Sequence, residues 1–268
     1  MKGIGTIGTI GALVVLGGCS PFAEFTGKSE TFTLASDNVG DDFEIGVYLP
    51  RDYEEDERDR PVVYVLDGAV QGEPTAGLAE VGRLDVVVVG IGYDDGFSVE
   101  RRVRDYTPTV DDNYPMSGGA EEFRQFVVEE LFPRIEEDYR VDPSRRSIVG
   151  HSQGGNGAIG FALAQDPEAP WFRAIAAVSP ALWWDEGVLL DHEEDYASEH
   201  EAMPVRLFIS VAELDPVPIW GYGIELGDRI EARGYEGLEL RREQYDRVSH
   251  DMAWVAAYED ALEFLHGR

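Results

Sequence analysis

Short apolar runs recur along this chain, separated by segments with helical periodicity. Two early segments, 30–34 and 43–49, alternate polar and apolar residues, a pattern that predicts strands at the edge of a sheet. The later runs are apolar almost without interruption, which is typical of strands that are covered on both faces. These runs lie at residues 61–66, 85–91, 147–149, 173–178, 205–211 and 238–244.

Helices are predicted between several of these strands. Apolar residues recur at helical spacing through 120–139, and further helices are expected from residue 153, over 220–233 and over 253–265. Residues 92–119 are predicted to be a loop. The alternation predicts an α/β fold with a mainly parallel central sheet, helices on both faces and antiparallel strands at the start.

One domain of this class accounts for most of the chain. The sequence has 268 residues, which is enough to bury a sizeable core, and residues 29–268 contain no internal repeat and no linker between domains. We therefore predict a single α/β domain over 29–268.

The first 19 residues have the pattern of a signal peptide. Lys2 precedes an apolar stretch at 4–16, which is too short to span a bilayer as a mature helix. The stretch ends in Leu16-Gly17-Gly18-Cys19-Ser20, which resembles a lipobox, and Cys19 is the only cysteine. We expect an exported lipoprotein, anchored at Cys19 and facing the cell exterior or periplasm, with residues 20–28 as a tether. The alternative is an ordinary signal peptide with an incidental cysteine.

The charge of the chain excludes several classes of partner. There are 53 acidic and 22 basic residues, giving a formal net charge of −31. Such a protein repels nucleic acids and anionic lipid headgroups, so we expect neither as a partner. The acidic residues are dispersed rather than clustered, which favours a solvated acidic surface of a protein that works in high salt. The lone cysteine also means that the mature fold contains no internal disulfide.

A candidate nucleophile lies between the strand at 147–149 and the helix from residue 153. The segment Gly150-His151-Ser152-Gln153-Gly154 has the G-x-S-x-G pattern in the strand-to-helix context that gives this motif its meaning. In such a turn the serine adopts a strained conformation, and the flanking glycines leave room where a Cβ would collide. We therefore interpret Ser152 as the nucleophile of an elbow, with His151 facing away from the site.

A serine nucleophile needs a base and a carboxylate that orients the base. His250 follows the last predicted strand and Asp215 follows the strand before it, so both lie at carboxyl ends of strands. The order Ser152, Asp215, His250 is the one found in α/β hydrolases. Glu213 is an alternative acid, and Asp251 is a third candidate.

Backbone N–H groups are expected to stabilise the oxyanion. The N–H of Gln153 heads the helix after the elbow, and a second donor is expected after the strand at 61–66, from Gly68 or Ala69. The chain shows no metal-ligand spacing, P-loop or dinucleotide fingerprint, so no metal and no cofactor are implied.

Five stretches together resemble the esterase family of the α/β hydrolases, which includes siderophore (enterochelin-type), feruloyl and acetylxylan esterases, esterase D and the mycolyltransferases. Spread over nearly the whole mature chain, they are Tyr64-Val65-Leu66-Asp67-Gly68, Arg104-Asp105-Tyr106-Thr107-Pro108, Gly150-His151-Ser152-Gln153-Gly154-Gly155, Ser179-Pro180-Ala181-Leu182-Trp183-Trp184 and His250-Asp251-Met252-Ala253-Trp254.

The resemblance implies an α/β-hydrolase fold and a serine esterase that acts on a small-molecule ester, with Ser152, His250 and Asp215 as the triad. It also implies that Asp67-Gly68-Ala69 borders the oxyanion hole, and that Arg104, Tyr106, Trp183 and Trp184 lie along the substrate cleft. From the residues alone, the two tryptophans fit either an aromatic wall of the cleft or the core.

The substrate and the reaction type stay open at this point. A large anionic siderophore would require cations near the cleft, which Arg101, Arg102 and Arg104 could supply, although such arginines are more often partners in surface ion pairs. An aryl or carbohydrate ester is the other substrate class. The rival functions are acyl transfer to an alcohol and a non-catalytic, ligand-binding surface lipoprotein.

Overall fold

An eight-stranded sheet forms the centre of the molecule, in a computed structural model that describes residues 24–267. The strands are β1 (Lys28–Ser36), β2 (Asp41–Leu49), β3 (Arg60–Leu66), β4 (Val87–Gly92), β5 (Val141–His151), β6 (Ala174–Val178), β7 (Arg206–Leu214) and β8 (Glu239–Ser249). Their order in the sheet is β1-β2-β4-β3-β5-β6-β7-β8. β2 is antiparallel to both β1 and β4, whereas the pairs formed among β3 to β8 are all parallel. The predicted sheet, with its antiparallel start, is confirmed.

Helices cover both faces of this sheet. They are α1 (Gly68–Val81), α2 (Val99–Tyr106), α3 (Ala120–Gln125), α4 (Phe132–Asp138), α5 (Gln153–Ala164), α6 (Val188–Glu199), α7 (Val217–Arg233) and α8 (Ala253–His266). A π-helical turn, Phe126–Leu131, joins α3 to α4, so the predicted helix over 120–139 is present but changes its hydrogen-bonding pattern in the middle.

The side chains of β3 explain why its sequence is apolar throughout. Val62, Tyr64 and Leu66 point into one core, which also contains residues of α3, α5, α6 and α7. Val63 and Val65 point into a second core against α1 and α8. Because successive side chains of a strand alternate between faces, a strand covered on both faces must be apolar at every position.

Three helices were absent from the sequence prediction: α1, α2 and the acidic α6. α1 contains Gly68, Gly72, Gly77 and an internal Pro74, residues that are unfavourable in helices, and so its sequence gave no helical signal. The prediction of a loop over 92–119 was wrong at α2. The buried side of α2 includes Arg102 and Asp105, so hydrophobic periodicity could not reveal it.

The start of the described chain packs against the domain. The rings of Phe25 and Tyr48 meet edge to face at 5.5 Å, and the Thr26 hydroxyl and amide both donate to Glu80. The last residues of the predicted tether are therefore bound to the domain rather than extended away from it. The predicted signal peptide, Cys19 and the tether up to residue 23 lie outside the described residues. Within 24–267, no helix is both long and apolar enough to cross a membrane.

The parallel strands place their following loops at one edge of the sheet. β3 to β8 all end there, and we call this edge the carboxyl edge. Ser152 follows β5, Asp215 follows β7 and His250 follows β8, so their residues lie at the same edge. This is the edge at which open α/β sheets place their ligand sites.

Candidate active site

The turn at Ser152 is strained in the way that the glycine pattern predicts. Ser152 has φ 59° and ψ −120°, and it joins the end of β5 directly to the start of α5. A Cβ on Gly150 would lie 2.2 Å from the carbonyl oxygen of Gly154, so only glycine allows the strand and the helix to meet. The amide of Ser152 donates to Val178 O at 3.0 Å, and its carbonyl accepts from Ala181 N at 2.9 Å, which holds the strained turn in place.

Hydrogen bonds connect the three predicted catalytic side chains in a chain. His250 Nε2 lies 2.8 Å from Ser152 Oγ, and His250 Nδ1 lies 2.7 Å from Asp215 Oδ1. Both distances are within the range for a base that can accept the serine proton and for a carboxylate that orients that base. The structure thus brings Ser152, His250 and Asp215 together.

The surroundings of Asp215 keep its carboxylate ionised. Its Oδ2 accepts from the Ser179 hydroxyl at 2.8 Å and from the Ala212 amide at 2.7 Å. Burial raises the pKa of Asp215, but the hydrogen bonds from His250, Ala212 and Ser179 outweigh it, and the net pKa lies below the usual value. The carboxylate is therefore fixed by three donors and presents one oxygen to His250.

The alternative acids lie elsewhere. Glu213 is exposed, and its carboxylate accepts from the backbone amide of Arg247 at 2.6 Å. Asp251 is exposed on the 3-10 turn His250–Met252. Of the three carboxylates considered from the sequence, only Asp215 is bonded to the imidazole of His250.

The expectation that His151 faces away from the site was wrong. Its ring lies 4.7 Å from that of His250, and its Nε2 lies 2.9 Å from the carbonyl oxygen of His250. Burial, followed by the proximity of His250 and Arg102, lowers the pKa of His151 to about 3. His151 is therefore neutral, and its Nε2–H donates to the backbone of His250. The sequence offered no sign of this contact, because it joins the ends of β5 and β8 through the fold.

The predicted oxyanion donors lie at two helix starts. The Asn156 amide donates to Ser152 O and the Val70 amide donates to Asp67 O, both at 3.0 Å, and these bonds begin α5 and α1. The N–H groups of Gln153, Gly68 and Ala69 precede these first bonds, so the helices themselves do not use them. A Cβ on Gly68 would lie 2.3 Å from the backbone of Gly90, so glycine allows α1 to begin directly against β4.

The resemblance places Asp67 at the border of the oxyanion hole as a substrate-binding residue, but its carboxylate is buried and not open to substrate. Its side chain is 1% exposed and forms a double hydrogen bond with Arg102, at 2.5 Å to Nε and 2.9 Å to Nη2. Asp67 has φ 58° and caps α1, and its carboxylate lies beside Gly154 of the elbow. A buried carboxylate requires a partner, and Arg102 provides it. The pair lies between the starts of α1 and α5 and supports both from inside the protein.

Three of the other predicted cleft residues are also held in internal contacts. Arg104 is bonded to Asp41 and Asp105, and Tyr106 is 1% exposed. Trp184 is buried, and its indole N–H donates to Thr109.

Trp183 differs from these residues, because it is 42% exposed. The two tryptophans thus have different surroundings: Trp184 belongs to the packed interior, and Trp183 is open at the carboxyl edge. The sequence did not distinguish them, since adjacent residues in a loop can point in opposite directions.

No group of ligand side chains suited to a metal ion occurs among residues 24–267. A cavity of about 540 Å³ lies beside α5, lined by residues of α3, α5 and α6 such as Phe123, Gly160 and Tyr196. Ser152 and His250 are not among its lining residues. This cavity is therefore separate from the Ser152 site.

Comparison with known proteins places this geometry in a family. Residues 36–208 match the family described as "Putative esterase". Ferri-bacillibactin esterase BesA of Bacillus subtilis (strain 168) is 33% identical over 177 residues, which are 58% of this chain and 60% of that protein. Apo-salmochelin esterase of Escherichia coli O6:H1 is 30% identical over 138 residues, covering 46% of this chain and 42% of that protein. The chain therefore spans less than two thirds of the length of these two relatives.

Solved structures cover the chain more completely. The BES protein from Bacillus cereus superposes with a TM-score of 0.81 at 26% identity, covering 90% of this chain and 95% of that one. An IroE-like serine hydrolase from Shewanella oneidensis has a TM-score of 0.79 at 25% identity, covering 89% and 80%. These matches confirm the predicted α/β-hydrolase fold. Since the family match covers more than half of the sequence and contains the elbow at Ser152, the chain belongs to this esterase family.

Proposed function

We propose that this chain is a serine esterase that hydrolyses carboxylic esters through an acyl-enzyme. The observation that carries the proposal is the hydrogen-bonded chain of Ser152, His250 and Asp215, with distances of 2.8 and 2.7 Å, at the carboxyl edge of the sheet. A ligand-binding protein of the same fold has no need for a base and an acid aligned on a strained serine.

Each of these groups has a definite step in the proposed reaction. Ser152 Oγ attacks the ester carbonyl while its proton moves to His250 Nε2, and Asp215 stabilises the imidazolium that forms. The N–H of Gln153, with that of Gly68 or Ala69, stabilises the oxyanion. His250 then returns the proton to the departing alkoxide oxygen. In the second half, His250 takes a proton from the water that attacks the acyl group. It then gives this proton to Ser152 Oγ as the acyl–oxygen bond breaks and the acid product leaves.

The names of the relatives suggest the first substrates to test. BesA is named for a ferri-bacillibactin ester, and the Escherichia coli relative is named for apo-salmochelin. Siderophore, aryl and carbohydrate esters therefore form the first set of substrates to test on this chain. Product analysis with an added alcohol distinguishes hydrolysis from acyl transfer, because transfer yields a new ester.

Two substitutions test the role of the acid. In Asp215→Asn the amide cannot stabilise the imidazolium of His250, and kcat is expected to fall roughly 10³- to 10⁴-fold with an aryl ester. Glu213→Gln is the matched control, because Glu213 is an exposed acid two positions away that bonds the Arg247 backbone instead. Its kcat should stay close to that of the wild type. Equal losses in both variants would contradict the assignment of Asp215.

Export and lipid attachment form a separate part of the proposal. The support is the sequence of residues 4–20, with Cys19 as the only cysteine of the chain. Expression of the full chain with a labelled fatty acid should label the wild type and leave Cys19→Ser unlabelled. Equal label in both would contradict anchoring at Cys19.

A further inference from the structure

The exposed apolar side chains of this protein are concentrated around the Ser152 site. Among the residues that the structure describes, the large apolar side chains with the greatest exposure share one location, with Val81 as the exception. They lie in the loops and helix starts of the carboxyl edge, and we call them the apolar rim: Val70, Phe97, Val99, Val110, Tyr114, Met116, Trp183, Leu214, Val217, Trp220 and Met252.

The apolar rim is built on the same loops as the site. Trp183 is 42% exposed and its ring lies 6.1 Å from that of the buried Trp184, which lies 5.7 Å from that of Tyr114. Leu214 precedes Asp215 and Met252 follows His250 by two residues. An ester at Ser152 whose substituents reach over these loops would therefore contact apolar side chains. A soluble protein exposes such a patch where it binds something.

Three arginines of α2, at positions 101, 102 and 104, are not free to bind an anion. Arg101 is bonded to Asp41 and Asp94, and it lies 3.5 Å from Asp95. Arg102 is bonded to Asp67 and is 9% exposed.

Arg104 is bonded to both Asp41 and Asp105. The three arginines that the sequence offered as contacts for an anionic chelate are thus engaged by carboxylates.

Further carboxylates surround the rim. The exposed or half-buried acidic residues of the same loops are Asp94, Asp95, Asp111, Asp112, Asp185, Glu186, Glu213 and Asp251. Arg247, which precedes His250 by three residues, is the exposed base of this region. The formal net charge of −31 adds to the negative potential there.

We infer that the Ser152 site selects uncharged esters with aromatic or branched apolar groups and rejects polyanionic ones. The inference rests on the proposed esterase function and specifies its substrate class. Apolar groups gain from burial against the rim, because their surface is removed from water. An anionic group is repelled by the surrounding carboxylates, most strongly at low ionic strength, where screening is weak.

A pair of esters matched in length tests the charge preference. 4-Nitrophenyl valerate and 4-nitrophenyl hemiglutarate have acyl chains of equal length, and the second ends in a carboxylate. At about 0.2 M KCl, kcat/KM for the valerate is expected to exceed that for the hemiglutarate by roughly tenfold or more, and the ratio should shrink at about 2 M KCl. Circular dichroism at both salt concentrations shows that the protein is folded.

The possible results distinguish the preference for uncharged esters from the esterase function itself. Equal or faster turnover of the hemiglutarate at low salt would overturn the inference while leaving the esterase function intact. Absence of turnover with every ester, on folded protein, would overturn the esterase function and the inference with it.

A substitution in the rim tests its apolar part. Trp183→Ala is expected to lower kcat/KM for 4-nitrophenyl 3-phenylpropionate roughly tenfold, with little change for 4-nitrophenyl acetate. Val81→Ala is the matched control, because Val81 is 60% exposed at the end of α1, away from the rim. It should leave both substrates unchanged.

Two outcomes would contradict this use of the rim. An equal loss on the acetate and the phenylpropionate would mean that Trp183 acts only through the fold. The wild type would contradict it by forming dimers in sedimentation, or by binding uncharged phosphatidylcholine vesicles, if Trp183→Ala abolished that association and left the ester preference unchanged. Such a result would assign the rim to a second copy of the chain or to a lipid surface.

Discussion

The imidazole of His151 is fixed against that of His250 and is bonded to its backbone carbonyl. His250 itself sits on a short 3-10 turn in which none of the residues is buried. The bond from His151 therefore ties an exposed turn to the strand end that carries Ser152. We interpret His151 as a positioning residue, which acts on the reaction through His250.

Replacement of His151 should separate positioning from packing. His151→Phe keeps a ring but loses the donor, and kcat is expected to fall roughly tenfold with KM little changed, since losing one hydrogen bond costs about 1 kcal/mol. His151→Gln retains a neutral donor and should recover part of the loss. The measurement is steady-state kinetics on an aryl ester.

His266→Phe is the matched control for this substitution. His266 is bonded to the Ser147 hydroxyl at 2.7 Å, toward the other end of β5. Its loss should lower stability without lowering kcat. If His151→Phe and His266→Phe had the same kcat, a positioning role for His151 would be ruled out.

The low pKa of His151 also makes stability depend on pH. The folded pKa is about 3, below the ordinary value of 6.5, so between these values the unfolded chain binds a proton that the folded protein does not. This contribution to stability is present above pH 6.5 and is lost as the pH falls. At pH 5 the loss is about 2 kcal/mol relative to pH 7.

Comparison with His151→Gln separates the pH dependence of stability that His151 causes from the pH dependence that the many carboxylates cause. Between pH 7 and 5, the free energy of unfolding in urea should fall by about 2 kcal/mol more in the wild type than in the variant. The same pH dependence in both proteins would show that His151 is protonated in the fold.

At the residue scale the sequence predicted the reactive groups better than their neighbours. Ser152, His250 and Asp215 were located from a motif and from strand ends, because topology alone brings those positions together. The pair of Asp67 with Arg102 was not foreseen, since it depends on the unpredicted α2 and on side-chain directions.

The site depends on the elbow between β5 and α5. The glycines of this strand-helix unit have unequal roles. A Cβ on Gly150 would overlap the backbone of Gly154, whereas a Cβ on Gly160, later in α5, would meet nothing within 4 Å. Two glycines of the same strand-helix unit are therefore expected to respond in opposite directions to one methyl group.

Alanine at these two positions provides the test. Gly150→Ala is expected to destabilise the protein by roughly 1–3 kcal/mol and to reduce esterase activity, because the strand and helix must move apart. Gly160→Ala is expected to stabilise it by up to about 1 kcal/mol, as alanine does in a helix interior, without loss of activity. Thermal unfolding and kinetics check both. A harmless Gly150→Ala would contradict the close contact in the elbow.

At the element scale the apolar strands were predictable, because a strand buried on both faces must be apolar at nearly every position. α1 and α2 were not. The glycines and Pro74 of α1 are tolerated because the helix starts against β4, where a side chain on Gly68 would not fit. α2 buries Arg102, which is paired with Asp67, and Asp105, which is paired with Arg104, and such a face carries no hydrophobic period.

At the scale of the whole molecule the dominant feature is charge. The formal net charge is −31, and Arg101, Arg102 and Arg104 at the carboxyl edge are engaged in ion pairs, which leaves many surface carboxylates to repel one another. Sequence composition alone reveals this excess, whereas only the structure shows which cations are engaged. The fold should therefore be more stable where salt screens the repulsion.

Thermal unfolding at different salt concentrations tests this view. Tm is expected to rise by roughly 5–10 °C between about 0.1 and 2 M KCl. Sucrose of equal osmolality, which favours the compact state without screening charge, should raise Tm less. A Tm that is independent of KCl would contradict adaptation of this surface to high salt.

The most direct test of the central proposal is the intact mass of the protein after incubation with a fluorophosphonate probe in molar KCl. The wild type is expected to gain a single adduct, because His250 activates Ser152. Ser152→Ala and His250→Ala, both verified as folded, are expected to gain none. An unlabelled wild type under folding conditions, or an adduct that persists in Ser152→Ala, would contradict the assignment of Ser152 as the nucleophile of an esterase.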